Sequence, residues 1–206
     1  WRASGCWWCW IYSNTKSSQI ALKEASELCS KYESYINYLK QKNDKKVISF
    51  ADLNLLKTIK KNLEEHKKAN ELLYNFPNTF EVHNEFHINW EYPHAFEDKE
   101  LSCKSLLDRV MIDHENKKII LIDLKTTADV YNFQHSVEEF DYYRQLTYYW
   151  TALAWYFKNE LFLDIDEYEG ETYIIAIQSY DGNEVRVFKI DEAELSNKLK
   201  VIDNAI

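Results

Sequence analysis

The run Ile119-Ile120-Leu121-Ile122-Asp123-Leu124-Lys125 constrains this chain more than any other stretch of it. Four successive branched aliphatics show no polar alternation, so the strand they form must be covered on both faces and lie inside a sheet. That strand then ends in two unlike charges. The period of two places Asp123 and Lys125 on one face, about 6–7 Å apart. Burying either charge unpaired costs on the order of several kcal/mol, so the strand end must open into a polar cleft, an ion pair or a metal site.

The flanking sequence supplies the rest of a sheet. From Thr79, Phe80, Val82, Phe86, Ile88 and Trp90 broadly alternate with polar neighbours, a strand with one wet face. A turn rich in Pro, His and charge follows over 92–100, and Leu101–Ile112 returns as a second strand. His114-Glu115-Asn116-Lys117 is a tight polar turn into the central strand. Two later strands, Thr172–Gln178 and Glu184–Ile190, are joined at Asp181-Gly182-Asn183, a hairpin signal.

Helical periodicity fills the remainder. Apolar positions from Ser18 to Gln41 describe one helix that buries a stripe. Ser49, with Asp52 three positions on, caps a second running to about Tyr74, ahead of Pro77. A long helix spans Gln134 to Lys158, and Asp191 caps a last one to about Ile202. The expected order is α, α, β, β, β, α, β, β, α: an α/β (α+β) fold with a central mixed sheet of five strands flanked by helices. At 206 residues the chain suits one structural domain. We divide it into an N-terminal helical region, 1–76, packed on a core, 77–206.

Composition narrows the class. Aromatic residues make up 16% of the chain, with three Gly and two Pro, which favours an ordered core. No run of about 18 apolar residues occurs, and the start lacks the basic region and cleavage site of an export signal, so a cytoplasmic location is expected. The start also lacks an initiator Met and holds four Trp and two Cys in ten residues, which reads as a truncated or incompletely represented beginning. Cys6 and Cys9 form a C-x-x-C pair, but with Cys29 and Cys103 far away they are expected as free or packing thiols. The tryptophans read as packing residues, with base stacking as the alternative. The formal charge of −9 argues against a polyanion partner. Against that, Leu39–Lys68 holds nine Lys against Asp44, Asp52, Glu64 and Glu65, either a solvated helix face or a basic arm beside an acidic body.

Acid-x-Lys spacing arises readily by chance among 34 acidic and 25 basic residues, so context decides its meaning. Asp108 lies 15 residues before Asp123, in the strand reached through one short turn. Adjacent antiparallel strands can bring the two carboxylates together, the hard oxygen donors that Mg²⁺ takes while keeping several waters. Such an ion would polarise a phosphate and acidify a water, with Lys125 beside it to hold that water and stabilise developing charge.

Three segments carry a resemblance: Glu85-Phe86-His87-Ile88-Asn89-Trp90, Cys103-Lys104-Ser105-Leu106-Leu107-Asp108-Arg109 and Ile122-Asp123-Leu124-Lys125-Thr126-Thr127. With Gln145-Leu146-Thr147-Tyr148-Tyr149 and the upstream run His66–Leu73, they resemble the PD-(D/E)XK nuclease core. The likeness is greatest to the exonuclease VIII (RecE-type) prophage branch and covers about residues 50–155. It implies a restriction-endonuclease-like core and a Mg²⁺-dependent hydrolase, with Mn²⁺ expected to substitute. The reaction implied is degradation of linear duplex DNA from its ends, in phage-type recombination or end processing, inside a bacterial or phage-infected cell. A single-strand annealing protein and a ring-shaped homo-oligomer are the implied partners.

By the same resemblance Asp108, Asp123, Lys125 and Gln145 are catalytic, and Asp108, Asp123 and Glu85 hold the metal. Tyr149, Thr126 and Lys104 contact substrate. Two departures stand out. No glycine-flanked His precedes residue 40, and the central acid is Asp where that branch commonly has Glu. No Cys follows Cys103, so the iron–sulfur arrangement of some such nucleases is not expected. His66, His83, His87 and His94 read as surface or core residues. The alternatives are an endonuclease of the same fold and a non-catalytic nucleic-acid-binding relative.

Overall fold

The computed structural model describes residues 18–41, 48–93, 100–180 and 182–195. The C-x-x-C pair, the N-terminal tryptophans, His94 and the last helix beyond residue 195 lie outside them. The chain divides into two compact units, 1–53 and 54–206.

In the first unit, α1 (Ser18–Lys31) and α2 (Glu33–Gln41) fall where one helix is expected. The turn between them keeps its hydrogen bonds: Tyr32 N–H donates to Leu28 O and Ile36 N–H to Tyr32 O. The stripe expected to be buried is open, with Ile20, Leu28, Tyr32 and Tyr35 exposed, because no second layer covers it among the described residues of this unit. Helix α3 (Phe50–Glu65) begins as its capping signal requires. Ser49 Oγ accepts the Asp52 N–H at 3.0 Å, and Asp52 Oδ2 accepts the Ser49 N–H at 3.3 Å.

The expected helix to Tyr74 breaks at His66. That residue adopts an extended ψ of 109° and caps a separate α4 (Lys67–Leu73), its Nδ1 accepting the Ala69 N–H. The break lets α4 and the C-terminal half of α3 pack on the sheet. Leu63 from α3 and Ala69 and Leu72 from α4 pack against Ile120, Ile122, Tyr173 and Ile175.

The second unit is built on a five-stranded mixed sheet in the order β1 (Glu81–Pro93), β2 (Glu100–Asp113), β3 (Lys118–Thr127), β4 (Glu169–Gln178), β5 (Val185–Ile190). Strand β3 is central, and Ile119 to Asp123 are all buried, as its unbroken apolar run demands. Every neighbouring pair is antiparallel except β3 and β4, which run parallel and so need a crossover. Helices α5 (Phe133–Glu139) and α6 (Tyr142–Tyr156) provide it. They replace the single helix expected over 134–158. Asp141, at φ 49°, turns the chain between them, and a π-helical turn (Phe157–Leu161) follows α6.

Leu146, Leu153 and Phe157 cover the other face of the sheet, against Ile119, Leu121, Ile174 and Ala176. Each such side chain taken from water contributes about 1.5–3 kcal/mol. Gly170 is needed beneath α6, since a Cβ there would meet Trp150 Cη2 at 2.9 Å, and Trp150 Nε1 donates to Thr172 Oγ1. At the β4–β5 hairpin Gly182 and Asn183 take positive φ, as the turn type requires.

The β1–β2 hairpin changes face along its length. In its outer part Leu107, Ile88 and Trp90 join the core under α6. In its inner part Val110 and Ile112 do so, while their neighbour Met111 joins the opposite core. An uninterrupted alternation would put Leu107 and Val110 on opposite faces. Register between the strands is kept, Asn84 opposite Arg109 and Phe86 opposite Leu107, so the phase slips in both strands together at Glu85 and Asp108. Glu85 carries the slip as a non-glycine residue at φ 48°. At the same level the β2–β3 ladder ends, its last pair being Arg109 with Ile122.

Candidate active site

The point where β2 parts from β3 is where the charges gather. Beyond the last ladder pair at Ile122, a side chain of β2 takes over from its backbone: Asp108 Oδ2 accepts the Leu124 N–H at 2.7 Å. Asp108 is thereby fixed beside the strand that carries Asp123 and Lys125. Asp123 is 2% exposed, and its Oδ2 lies 2.5 Å from Lys125 Nζ. The contact is a close ion pair, and apart from it no further hydrogen-bond donor reaches this buried oxygen among the described residues.

Burial pushes the Asp123 carboxyl above its ordinary pKa. Contact with Lys125 opposes that rise, and the charge of Asp108 adds to it. At Asp123, burial and the neighbouring Asp108 charge thus outweigh the Lys125 contact.

Helix α6 closes the site from above the sheet. Gln145 Nε2 donates to Tyr149 Oη at 2.6 Å, one helical turn away. The Tyr149 hydroxyl is raised first by burial, is lowered by that hydrogen bond, and is raised again by the charges of Asp123 and Asp108. Tyr142 starts the same helix, with Lys125 Nζ 4.8 Å from its ring centroid. Burial and then the Asp123 charge raise its hydroxyl too. Spacings of three and four residues put Tyr142, Gln145 and Tyr149 on one helix face. Tyr142 is the residue that sequence reasoning missed, although its distance of three from Gln145 was the available signal.

Five expected site residues thus come together: Asp108, Asp123, Lys125, Gln145 and Tyr149. Three do not. Thr126 neighbours Lys125, so the alternation of β3 sends it to the opposite face, where it is exposed. Lys104 is exposed on the outer hairpin, where Cys103 and Leu107 face α6, so it alternates away from that side. Glu85 is exposed on β1, and no group of three or more His, Cys, Asp or Glu side chains forms a metal cage among the described residues. What remains for a cation is a two-carboxylate set with one ammonium beside it. That fits a hard ion that keeps much of its water, as Mg²⁺ does.

Two thiols are described, an exposed Cys29 and a half-buried Cys103, both free. His66 caps a helix, and His83 lies 3.1 Å from Glu81. Among the described residues no helix is long and apolar enough to cross a membrane.

No protein-family model and no curated protein sequence matches the chain. Among solved structures it is similar to a "Putative exonuclease" from Eubacterium rectale, with 11% identity and a TM-score of 0.44 over 89% of this chain. It spans 63% of the length of that structure. It is also similar to the protein SSO0001, with 15% identity and a TM-score of 0.37, over 83% of this chain and 67% of that one.

Proposed function

We propose that this chain is a divalent-metal-dependent deoxyribonuclease of the PD-(D/E)XK class that hydrolyses linear duplex DNA from its ends. The observation that carries the reading is the Asp123 carboxylate: buried, met at Oδ2 by the Lys125 ammonium and by no further donor among the described residues, and beside a second carboxylate delivered by the neighbouring strand. One ammonium beside two neighbouring carboxylates leaves negative charge in excess, which is costly in a buried site that serves structure alone. A site that takes a divalent cation has a use for that excess.

Asp108 and Asp123 would hold the ion, which when bound supplies Lewis acidity toward a phosphodiester. Lys125 sets an ammonium beside the carboxylates, where it can stabilise charge building on the phosphoryl oxygens. Gln145 and Tyr149, locked by their mutual hydrogen bond, border the pair and are suited to orienting the DNA backbone. Mg²⁺ is the ion we assign, with Mn²⁺ as substitute. A role in phage-type recombination or end processing, a single-strand annealing partner, a ring-shaped homo-oligomer and a cytoplasmic location complete the proposal.

The test uses linear and covalently closed duplexes incubated with Mg²⁺, with Mn²⁺ and with a chelator. We expect the linear form to be degraded, the circle to survive, and the chelator to stop the reaction. Asp123→Ala should fold, by circular dichroism, and cleave nothing. Cleavage that persists in the chelator or in Asp123→Ala overturns the reading, and a cut circle replaces exonuclease with endonuclease.

A further inference from the structure

Lys125 has two close neighbours of different kinds. One is the Asp123 carboxylate at 2.5 Å; the other is the face of Tyr142, 4.8 Å from Nζ to the centroid. The ring is itself held in place. It stacks on Phe133 at 6.0 Å and 29°, and on Phe140 at 5.8 Å and 30°. Phe133 is 1% exposed and packs on Phe188 of β5, so the stack is anchored in the core. The left-handed turn at Asp141 starts α6 at Tyr142 and sets the ring against Lys125.

The two neighbours respond differently to a bound cation. A divalent ion on the Asp123 carboxylate competes with the ammonium for the same oxygen and repels it. The ring face attracts an ammonium through its quadrupole and is no ligand for a hard ion. We propose that Tyr142 is a positioning residue, whose ring is the second seat that keeps the Lys125 ammonium at the scissile phosphodiester once a divalent cation engages Asp123. The catalytic consequence rests on the nuclease reading; the seat itself does not.

The ring face carries the effect, so Tyr142→Phe should preserve it and Tyr142→Leu should remove it. The lysine ε-methylene signals of ¹³C-labelled protein are recorded with and without Mg²⁺, with Lys125 assigned by its loss in Lys125→Arg. In the wild type and in Tyr142→Phe the ring current shifts the Lys125 signal upfield, and the shift persists or grows when Mg²⁺ is added. In Tyr142→Leu it returns to the position of an ordinary lysine.

In cleavage assays at saturating Mg²⁺, Tyr142→Leu should lower kcat about tenfold with KM changed less than about twofold. Tyr142→Phe should stay within about threefold of the wild type. A Lys125 signal that is unshifted in the wild type, or that loses its shift on adding Mg²⁺, overturns the proposal. So does an equal loss of kcat in the Phe and Leu variants, or a Leu variant at full rate. Should Tyr142→Leu fail to fold, the response of the lysine signal to Mg²⁺ in the wild type and in Tyr142→Phe still decides. A wild type that shows the shift but cleaves no DNA refutes the nuclease reading and leaves the seat standing.

Discussion

Asp113 and Asp123 lie at opposite ends of the β2–β3 region, each 2% exposed, yet their acidities move in opposite directions. Asp113 ends β2 and turns the chain into β3. Its Oδ1 accepts the N–H groups of Glu115 and Asn116, and its Oδ2 accepts Thr79 Oγ1 and Asn116 Nδ2. Hydrogen bonds from Asn116 and Thr79 hold its carboxyl well below the usual range, at about 2. It is covered by its own turn, so burial costs it little and donors decide. Asp123 lies in the central strand, where the Lys125 ammonium beside it does not outweigh burial, and its carboxyl is raised. Equal exposure therefore says nothing about role; the number of donors at the carboxylate separates a folding residue from a candidate for chemistry.

The largest expected effect tests that separation directly. Asp123→Ala should lower DNA hydrolysis by about a thousandfold or more. Asp113→Ala should leave the rate per folded molecule unchanged, and equal losses in the two would erase the distinction. Lys125→Met keeps the length of the side chain and removes its charge, and should cost about a hundredfold in kcat under saturating Mg²⁺. On stability the order reverses. Asp113→Ala orphans the donors of the β2–β3 turn and should lower Tm more than any substitution at Asp123, read by thermal unfolding at pH 7. Because the folded pKa of Asp113 is depressed, its stabilisation is full above the ordinary value of 3.8 and is lost as pH falls toward about 2. The Tm gap between wild type and Asp113→Ala should close over that window.

The elements were legible wherever a local period or cap dictates them. The apolar run of β3 identified the central strand, Ser49 and Asp52 marked a helix start, and Gly182-Asn183 marked a hairpin. The breaks were not legible. Glu85 and Asp141 take positive φ without being glycine, so tertiary packing imposes what composition does not announce. Each break matters to the site: the slip at Glu85 lies level with the parting of β2 from β3, and the turn at Asp141 sets Tyr142 against Lys125. His66 likewise broke a continuous helical pattern to cover the sheet. Thr126 is a different case, since the period of two already placed it away from Lys125, and only the motif reading drew it into the site.

The smallest expected effect is the most diagnostic of the Asp123 environment. Burial raises the folded pKa of Asp123 above 3.8, so the folded state binds its proton more tightly than the unfolded chain does. The stabilisation tied to that proton is fully present below 3.8 and is lost as pH rises through the elevated folded value. Above that folded value the wild type carries an ionised, under-solvated carboxylate, a cost that Asp123→Asn avoids with nearly the same shape. In metal-free buffer the Asn variant should melt higher than wild type at pH 7, by on the order of 2 °C, while hydrolysing no DNA. The gap should shrink as pH is lowered toward 3.8, the opposite sign to that at Asp113, where the wild type is the more stable partner at pH 7. Added Mg²⁺ should raise the wild-type Tm and leave Asp123→Asn nearly unmoved, because an ion that binds only the folded wild type stabilises it by mass action. A wild type that outlasts Asp123→Asn at pH 7 without metal would mean that Lys125 already satisfies the carboxylate, and the contrast between the two aspartates would lose its physical basis.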